Sequence, residues 1–183
     1  MDAIHRSRRP RDDKGITLLE LLVVLAMGAV VLSLGVPSLQ QLTHTLRGRL
    51  EANRLHGAVQ LARNEAATRN AAVSLCPSSY ASGGALRCEG TYDSGWLVLS
   101  GDTTAPEPGN LLRVYPPPPS GYSIQTRSGV PATRELIYSS DGATRRNATF
   151  TVCPPARQSR HWSLVINRVG RARLARDWGN CGG

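Results

Sequence analysis

Residues 14–36 read KGITLLELLVVLAMGAVVLSLGV, and this stretch decides the architecture of the chain. From Ile16 to Val36 it is apolar over 21 residues, apart from three polar side chains. As a helix rising about 1.5 Å per residue it spans roughly 30 Å, the thickness of one bilayer core. Five basic and three acidic groups precede it. The positive-inside rule therefore predicts that residues 1–15 are cytoplasmic and that the C-terminal domain lies outside.

A carboxylate, Glu20, stands inside this apolar segment. Inserting a carboxylate into a membrane costs about 2.5–3.5 kcal/mol on insertion scales, so Glu20 needs a partner or a function. An ordinary secretory signal has a shorter apolar stretch followed by a small-residue cleavage site, and no clean site of that kind follows here. A plain signal anchor explains the length of the segment but leaves Glu20 unexplained.

Residues 14–20, KGITLLE, resemble the prepilin processing motif of type IV pilins and type II secretion pseudopilins. The resemblance implies that prepilin peptidase cuts between Gly15 and Ile16 and then N-methylates Ile16. The family usually has Phe after the cut, where this chain has Ile. The resemblance further implies that Glu20 guides assembly with other pilins or pseudopilins by pairing with the amine that cleavage creates. A buried charge pair of this kind fixes register more reliably than it adds stability.

The helical pattern continues beyond the membrane segment. Pro37 can kink a helix without ending it. Apolar residues then recur at helical spacing, first Leu39, Leu42, Leu46 and Leu50, then Leu55, Val59, Ala62 and Ala66. This predicts one helix from about Ile16 to Asn70, with a membrane half (16–36) and an amphipathic half (37–70). We interpret the whole apolar stripe as the face that packs on a domain.

From Ala71 onward the pattern changes to short strands separated by turn residues. The predicted strands are Ala72–Cys76, Gly95–Ser100, Leu111–Tyr115, Tyr122–Thr126, Glu135–Tyr138, Thr149–Cys153, Ser163–Asn167 and Arg171–Ala175. A long helix followed by short antiparallel strands is an α+β arrangement. Residues 71–183 are therefore predicted to form a β-rich globular domain.

Four further stretches resemble the GspH/FimT group of minor pilins and pseudopilins: QLARNEA (60–66), Arg69-Asn70, VSLCPS (73–78) and Gly95-Trp96. The resemblance implies a type IV pilin-like fold, in which the long N-terminal helix packs on antiparallel β-sheet. It also implies a single-pass protein of the inner membrane, with a periplasmic C-terminal domain, that passes into a pilus or pseudopilus.

Four cysteines, Cys76, Cys88, Cys153 and Cys181, allow three disulfide pairings. None forms a CxxC pair, so nothing in their spacing suggests a zinc site. We favour the sequential pairing: Cys76–Cys88 closes a loop after the first strand, and Cys153–Cys181 ties the C-terminal tail to the sheet. Such bridges require an oxidising compartment and hence export. Four unpaired buried thiols are the alternative.

The net charge of +9 is concentrated near the C-terminus. Residues 145–183 hold eight Arg and one acidic residue, a net charge of +7. In an extended segment, Arg171 and Arg173 share one face while Ala172 and Leu174 share the other. Paired guanidinium forks grip phosphates bidentately. The predicted patch extends to Arg168 and Arg176, and further to Arg145, Arg146, Arg157 and Arg160.

Gly170-Arg171-Ala172-Arg173 also resembles the GRxR motif in the tails of FimT-like pilins, which is associated with DNA binding in natural transformation. The expected partner is double-stranded DNA, held by its phosphates without sequence readout. Trp178 is interpreted first as a core anchor, with base stacking as the alternative. A structural role only, as in a GspH-like pseudopilin of type II secretion, fits residues 14–78 equally well.

Nothing in the sequence indicates an enzyme. The four histidines (5, 44, 56 and 161) are scattered, and no nucleotide-binding glycine loop, HExxH or GxSxG motif is present. We therefore expect no catalytic residues, no metal and no cofactor.

Overall fold

A computed structural model describes residues 17–101, 103, 106–155 and 160–182, excluding the side chains of residues 34 and 37. The predicted leader, the cleavage bond after Gly15 and the methylation site Ile16 lie outside these residues. The chain divides into two compact units, Met1–Gln40 and Gln41–Gly183.

One continuous α-helix, α1, runs from Leu18 to Arg69. The Thr17 hydroxyl accepts the backbone N–H of Glu20 at 3.2 Å, as an N-cap residue does for one of the unpaired donors of a first turn. The helix ends where Asn70 adopts a positive φ of 50°, a conformation that asparagine tolerates better than most residues. The predicted limits of 16 and 70 are therefore close to the observed ones.

In the first unit, the described apolar side chains of α1, those of residues 18–33, 36 and 39, are exposed. The helix contains an 18-residue window that is long and apolar enough to cross a membrane, and none of that window is buried. Length and composition alone support this statement, and they agree with the span expected from the sequence.

In the second unit, one face of α1 forms part of the core. Leu55, Val59, Ala62 and Ala66 are fully buried, as the sequence predicted. The same prediction was wrong for the leucines that precede them, because they are exposed: Leu39, Leu42, Leu46 and Leu50. At 3.6 residues per turn, nine residues rotate a side chain by half a turn, so Leu46 and Leu50 point away from Leu55 and Val59.

In the part of the chain that the structure describes, eight strands follow the helix, and each overlaps a predicted one. They are β1 (Val73–Pro77), β2 (Trp96–Ser100), β3 (Leu111–Tyr115), β4 (Ser123–Gln125), β5 (Leu136–Tyr138), β6 (Ala148–Cys153), β7 (Trp162–Ile166) and β8 (Ala172–Arg176). They form two four-stranded sheets, in the orders β3-β2-β1-β5 and β4-β6-β7-β8. All the pairings between them are antiparallel.

One core joins the helix to both sheets. It combines the buried face of α1 with inward side chains of the first sheet, such as Leu75 and Val98, and of the second, such as Val152 and Leu164. Among the described residues, the buried apolar side chains of the core and both disulfides lie between residues 52 and 181. The unit of residues 41–183 therefore contains what it needs to fold without the preceding segment.

Each sheet also has an outer face that a disulfide-linked segment partly covers. Cys76 is bonded to Cys88 and lies in a small apolar cluster with Leu97 and Leu99 on the outer side of the first sheet. Cys153 is bonded to Cys181 and holds the C-terminal residues against the second sheet. Both bridges have the sequential pairing that we favoured.

Candidate nucleic-acid interface and assembly face

The predicted DNA-binding segment begins at a tight turn over residues 167–170. The N–H of Gly170 donates to the carbonyl of Asn167 at 2.9 Å, and the Asn167 side chain accepts the N–H of Arg171 at 2.9 Å. Gly170 has a φ of +78°, which favours glycine. A Cβ at this position would overlap the carbonyl oxygen of Gly142, so the backbone approach itself requires glycine.

Distant residues hold this turn in place. Arg63 of α1 donates to the carbonyls of Gly142 at 3.1 Å and Val169 at 3.4 Å. The Tyr138 hydroxyl donates to the Gly170 carbonyl at 3.3 Å. Burial raises the pKa of Tyr138 from 10.0 to about 12, so the phenol remains a donor even above the pH at which an ordinary tyrosine ionises. Sequence reasoning missed these supports, because Arg63 lies about a hundred residues before the turn and nothing local connects them.

Arg171 directly precedes strand β8 and Arg173 lies within it, and both have the exposure that the alternation predicted. Both arginines are exposed, whereas Ala172 and Leu174 are half-buried and pack against the core. Strand β8 is an edge strand of the second sheet, with β7 as its one neighbour. Arg173 lies opposite Val165, on the outward face of this sheet. Among the described residues, neither arginine forms an ion pair with a carboxylate.

Arg176 does not extend this pair on the same face, which corrects the predicted patch. It is directly opposite Trp162. Trp162 faces the helix, because it packs near Gly48 and under the guanidinium of Arg49, at 5.4 Å from the ring centroid. Side chains alternate along a strand, so Arg176 belongs to the helix side of the sheet and Arg173 to the outer side. Arg168 is exposed within the turn itself.

The arginines that precede the turn are not grouped with Arg171 and Arg173. Arg145 and Arg146 line a surface cleft of about 620 Å³ beside β5. Arg146 is half-buried and donates to the carbonyl of Glu135. Arg160 is exposed, and Arg157 lies outside the described residues. The outward-facing site therefore centres on Arg171 and Arg173 rather than on all eight arginines.

Trp178 is not a core anchor, and that interpretation was wrong. Its side chain is 39% exposed. The guanidinium carbon of Arg127 lies 4.8 Å from the centroid of its ring. Because the chain leaves β8 at Arg176 and turns over the outer face of the sheet, the indole cannot reach the core on the opposite face.

A second feature is the row of exposed leucines on α1. Leu46 is 51% exposed and Leu50 is 65% exposed, on the side of the helix opposite the core. Leu39 and Leu42, which precede them on the helix, are exposed as well. We call Leu42, Leu46 and Leu50, which all lie in the second unit, the leucine stripe. Glu20 is also exposed, one turn beyond the capping Thr17. The apolar surface of the helix is thus open to contact along much of its length.

No catalytic or metal-binding arrangement is found in the part of the chain that the structure describes. No cluster of three or more His, Cys, Asp or Glu side chains is suited to a metal there. The ring nitrogens of His44 and His56 lie within hydrogen-bonding distance of Tyr122 and Gln60, respectively. The ring nitrogen Nδ1 of His161 lies 3.9 Å from Oδ1 of Asp177, outside hydrogen-bonding range, although the backbone N–H of His161 donates to this carboxylate at 3.2 Å.

Comparison with known proteins identifies the family. A family model described as type II transport protein GspH matches residues 51–170. The chain belongs to the GspH family. A second model, the prokaryotic N-terminal methylation motif, matches residues 10–36. The pilin-like protein PilA1 of Thermus thermophilus is 30% identical over 181 residues, which covers 88% of this chain and 97% of PilA1.

Solved structures of other pilin-like proteins share the fold of this GspH-family chain. The type IV minor pilin FimU of Pseudomonas aeruginosa PAO1 matches with a TM-score of 0.55 and 19% identity, over 70% of this chain and 87% of FimU. The minor pseudopilin EpsH of the Vibrio cholerae type 2 secretion system matches with a TM-score of 0.50 and 14% identity, over 70% and 96%. The type IV pilin-like fold is therefore confirmed.

Family and motif together define what this GspH-family protein is at a coarse level. It is a pilin-like subunit, of the class that serves a type IV pilus or a type II secretion system. Such subunits are processed by prepilin peptidase, are anchored through their N-terminal apolar helix and assemble with other pilins or pseudopilins.

Proposed function

We propose that the chain is a minor pilin of a type IV pilus that binds double-stranded DNA without sequence preference for natural transformation. The observation that carries this proposal is the pair Arg171 and Arg173, exposed at the start of edge strand β8 with no carboxylate partner among the described residues. Two residues along a strand span about 6.6 Å, so both guanidinium groups can reach phosphates of one duplex at once.

Processing begins with cleavage between Gly15 and Ile16, followed by N-methylation of Ile16. The match of the methylation motif to residues 10–36 supports this step. The new amine of one subunit then pairs with Glu20 of a neighbour. The leucine stripe supplies apolar contact area between adjacent helices, because its side chains are exposed rather than packed into the core.

Residues 16–36 cross the inner membrane with the leader in the cytoplasm, so that the domain of residues 71–183 is periplasmic. Two observations support this orientation. The leader is basic, and the domain carries two disulfides, which persist in an oxidising compartment such as the periplasm.

Gel-shift titration of the full-length chain in neutral detergent micelles tests DNA binding. We expect Arg171→Ala/Arg173→Ala to weaken binding to a 30-bp duplex by at least about tenfold, because each charge-assisted hydrogen bond contributes about 1.5–3 kcal/mol. The matched control is Arg87→Ala/Arg113→Ala, which removes two exposed arginines from another surface. The logarithm of affinity should fall with the logarithm of salt at a slope of about −2 to −4, for two to four phosphates. Equal losses in both double variants would refute a specific role for Arg171 and Arg173.

The alternative function is a GspH-like minor pseudopilin of type II secretion with a structural role only. The match to the GspH family model supports this alternative. Deletion of the gene separates the two: loss of secreted proteins with normal DNA uptake supports the pseudopilin, and the reverse result supports the DNA-binding pilin.

A further inference from the structure

The last residues of the domain form a fixed strap across the outer face of the second sheet. We call residues 178–182 the C-terminal strap. The Ser163 hydroxyl donates to the carbonyl of Trp178, and the Gln125 side chain exchanges two hydrogen bonds of 3.0 Å with the backbone of Gly182. The Cys153–Cys181 disulfide fixes the strap between these points. Thr151 and Ser163 are completely buried under it.

Arg127 and Trp178 form a stacked pair that this strap holds in place. The guanidinium carbon of Arg127 lies 4.8 Å from the centroid of the indole ring. The N–H of Asn180 donates to the carbonyl of Arg127 at 3.1 Å, so the loop that carries Arg127 is bonded to the strap. Gly179, with a φ of +89°, lets the backbone between Trp178 and Asn180 approach the side chain of Thr151 closely. Both partners of the stack are therefore positioned by backbone contacts, yet Trp178 remains 39% exposed.

This stacked pair lies on the same face of the sheet as Arg171 and Arg173. Trp178 is bonded to Ser163, and Ser163 is two residues from Val165, the partner of Arg173 in the strand ladder. Two residues along a strand correspond to about 6.6 Å. The outer face thus carries two arginines at its β8 edge. Beside the neighbouring strand β7 it carries an exposed indole with a guanidinium stacked on it.

We propose that Arg127 and Trp178 form a second nucleic-acid contact, in which Trp178 supplies selectivity for single strands. This inference rests on the proposed function, because Arg171 and Arg173 supply the first contact. An unpaired base stacks on the exposed indole, and the Arg127 guanidinium binds the adjacent phosphate. Every base offers a flat face for stacking, so this contact has no sequence preference. In a duplex the base faces are covered by their neighbours, so Trp178 adds affinity for single strands only.

Fluorescence anisotropy of the full-length chain in neutral detergent micelles tests this proposal with two probes, fluorescein-labelled dT20 and a blunt 20-bp duplex. We expect Trp178→Ala to weaken dT20 binding about tenfold, within the range for stacking of one base on an aromatic side chain, and to change duplex binding by less than about twofold. Trp178→Phe keeps an aromatic ring and should retain most of the dT20 affinity. Arg127→Ala should weaken binding to both probes and reduce the magnitude of the salt slope by about one.

Arg113→Ala is the matched control, because Arg113 is also exposed and also stacks on an aromatic ring, that of Tyr115 at 5.7 Å, but in the first sheet. It should leave both affinities within about twofold of the unmodified chain. A second readout does not depend on the alanine variant folding. Addition of dT20 should quench tryptophan fluorescence of the unmodified chain, and Trp178→Phe should abolish that quenching although Trp96 and Trp162 remain.

The outcomes separate the two proposals. Unchanged dT20 affinity in Trp178→Ala, or no quenching by dT20 in the unmodified chain, overturns the single-strand contact. If Arg171→Ala/Arg173→Ala still loses duplex binding in that case, the proposed function stands. A chain that binds neither probe at low salt overturns both.

Discussion

Substitution of Gly170 by alanine tests the claim that close backbone packing, and not only the arginines, defines the GRAR segment. Two costs add at this position. A side chain at a φ of +78° costs about 1–2 kcal/mol. The new Cβ also overlaps the Gly142 carbonyl and lies 2.9 Å from Cε1 of Tyr138, so the segment around Gly142 must move.

That movement has a calculable consequence for stability. It breaks the bond from Arg63 to the Gly142 carbonyl, at 3.1 Å, and the bond from the Thr144 N–H to the Arg168 carbonyl, at 2.8 Å. Each contributes about 1 kcal/mol. With the conformational cost, the free energy of unfolding of Gly170→Ala should fall by about 3–4 kcal/mol. The same displacement shifts the start of β8 and should weaken duplex binding.

Urea unfolding of residues 41–183, followed by tryptophan fluorescence, measures this effect. Gly83→Ala is the control, because Gly83 has a similar φ of +88° but nothing within 4 Å of the added Cβ. It should cost only the conformational term of about 1–2 kcal/mol. The midpoint of Gly170→Ala should therefore lie roughly 1 M of urea below that of Gly83→Ala. Equal midpoints for the two variants would show that the contact with Gly142 does not constrain the turn.

Two further predictions concern the helix and the pH dependence of stability. Leu46→Ser/Leu50→Ser should leave the free energy of unfolding of residues 41–183 nearly unchanged but reduce incorporation into filaments in cells. Leu55→Ala, in contrast, should lower that free energy by about 2–5 kcal/mol because Leu55 is fully buried. Normal filament incorporation of the double serine variant would argue against the leucine stripe as an assembly face. Burial raises the pKa of Asp93 above its ordinary value of 3.8, although the backbone N–H of Ile124 donates to its carboxylate and opposes the shift. The native state therefore holds the proton more tightly, so the stabilisation from Asp93 is complete below pH 3.8 and is lost as the pH rises through the raised value. Asp93→Asn keeps the acceptor but cannot titrate, so urea unfolding should show it gaining stability relative to the unmodified domain between about pH 4 and pH 7, and a constant difference would contradict the reasoning.

Local patterns in the sequence predicted a large part of this protein. The apolar run from Ile16 and the motif around Gly15 indicated the pilin class, which the family match confirms. All eight strands were anticipated to within a residue or two, because period-2 apolar patterns and turn residues are local signals. The same period predicted that Arg171 and Arg173 are exposed while Ala172 and Leu174 face the core, and the structure has this arrangement at the start of β8.

Tertiary contacts decided what periodicity left open. An apolar stripe on a helix does not show where its partner begins, so periodicity alone assigns Leu46 and Leu50 to the core, although the core lies on the opposite side of the helix. If the alternation continues past Leu174, Arg176 lies on the helix side of the sheet. The pairing of Arg176 with Trp162 in the strand ladder shows that it does. The pairing of Arg127 with Trp178 depends on the path of the C-terminal strap over the second sheet. The sequence by itself determined the elements and the charge, because these depend on neighbours along the chain. Only the tertiary structure decided which charges share a surface, because that depends on how the sheets and the strap pack.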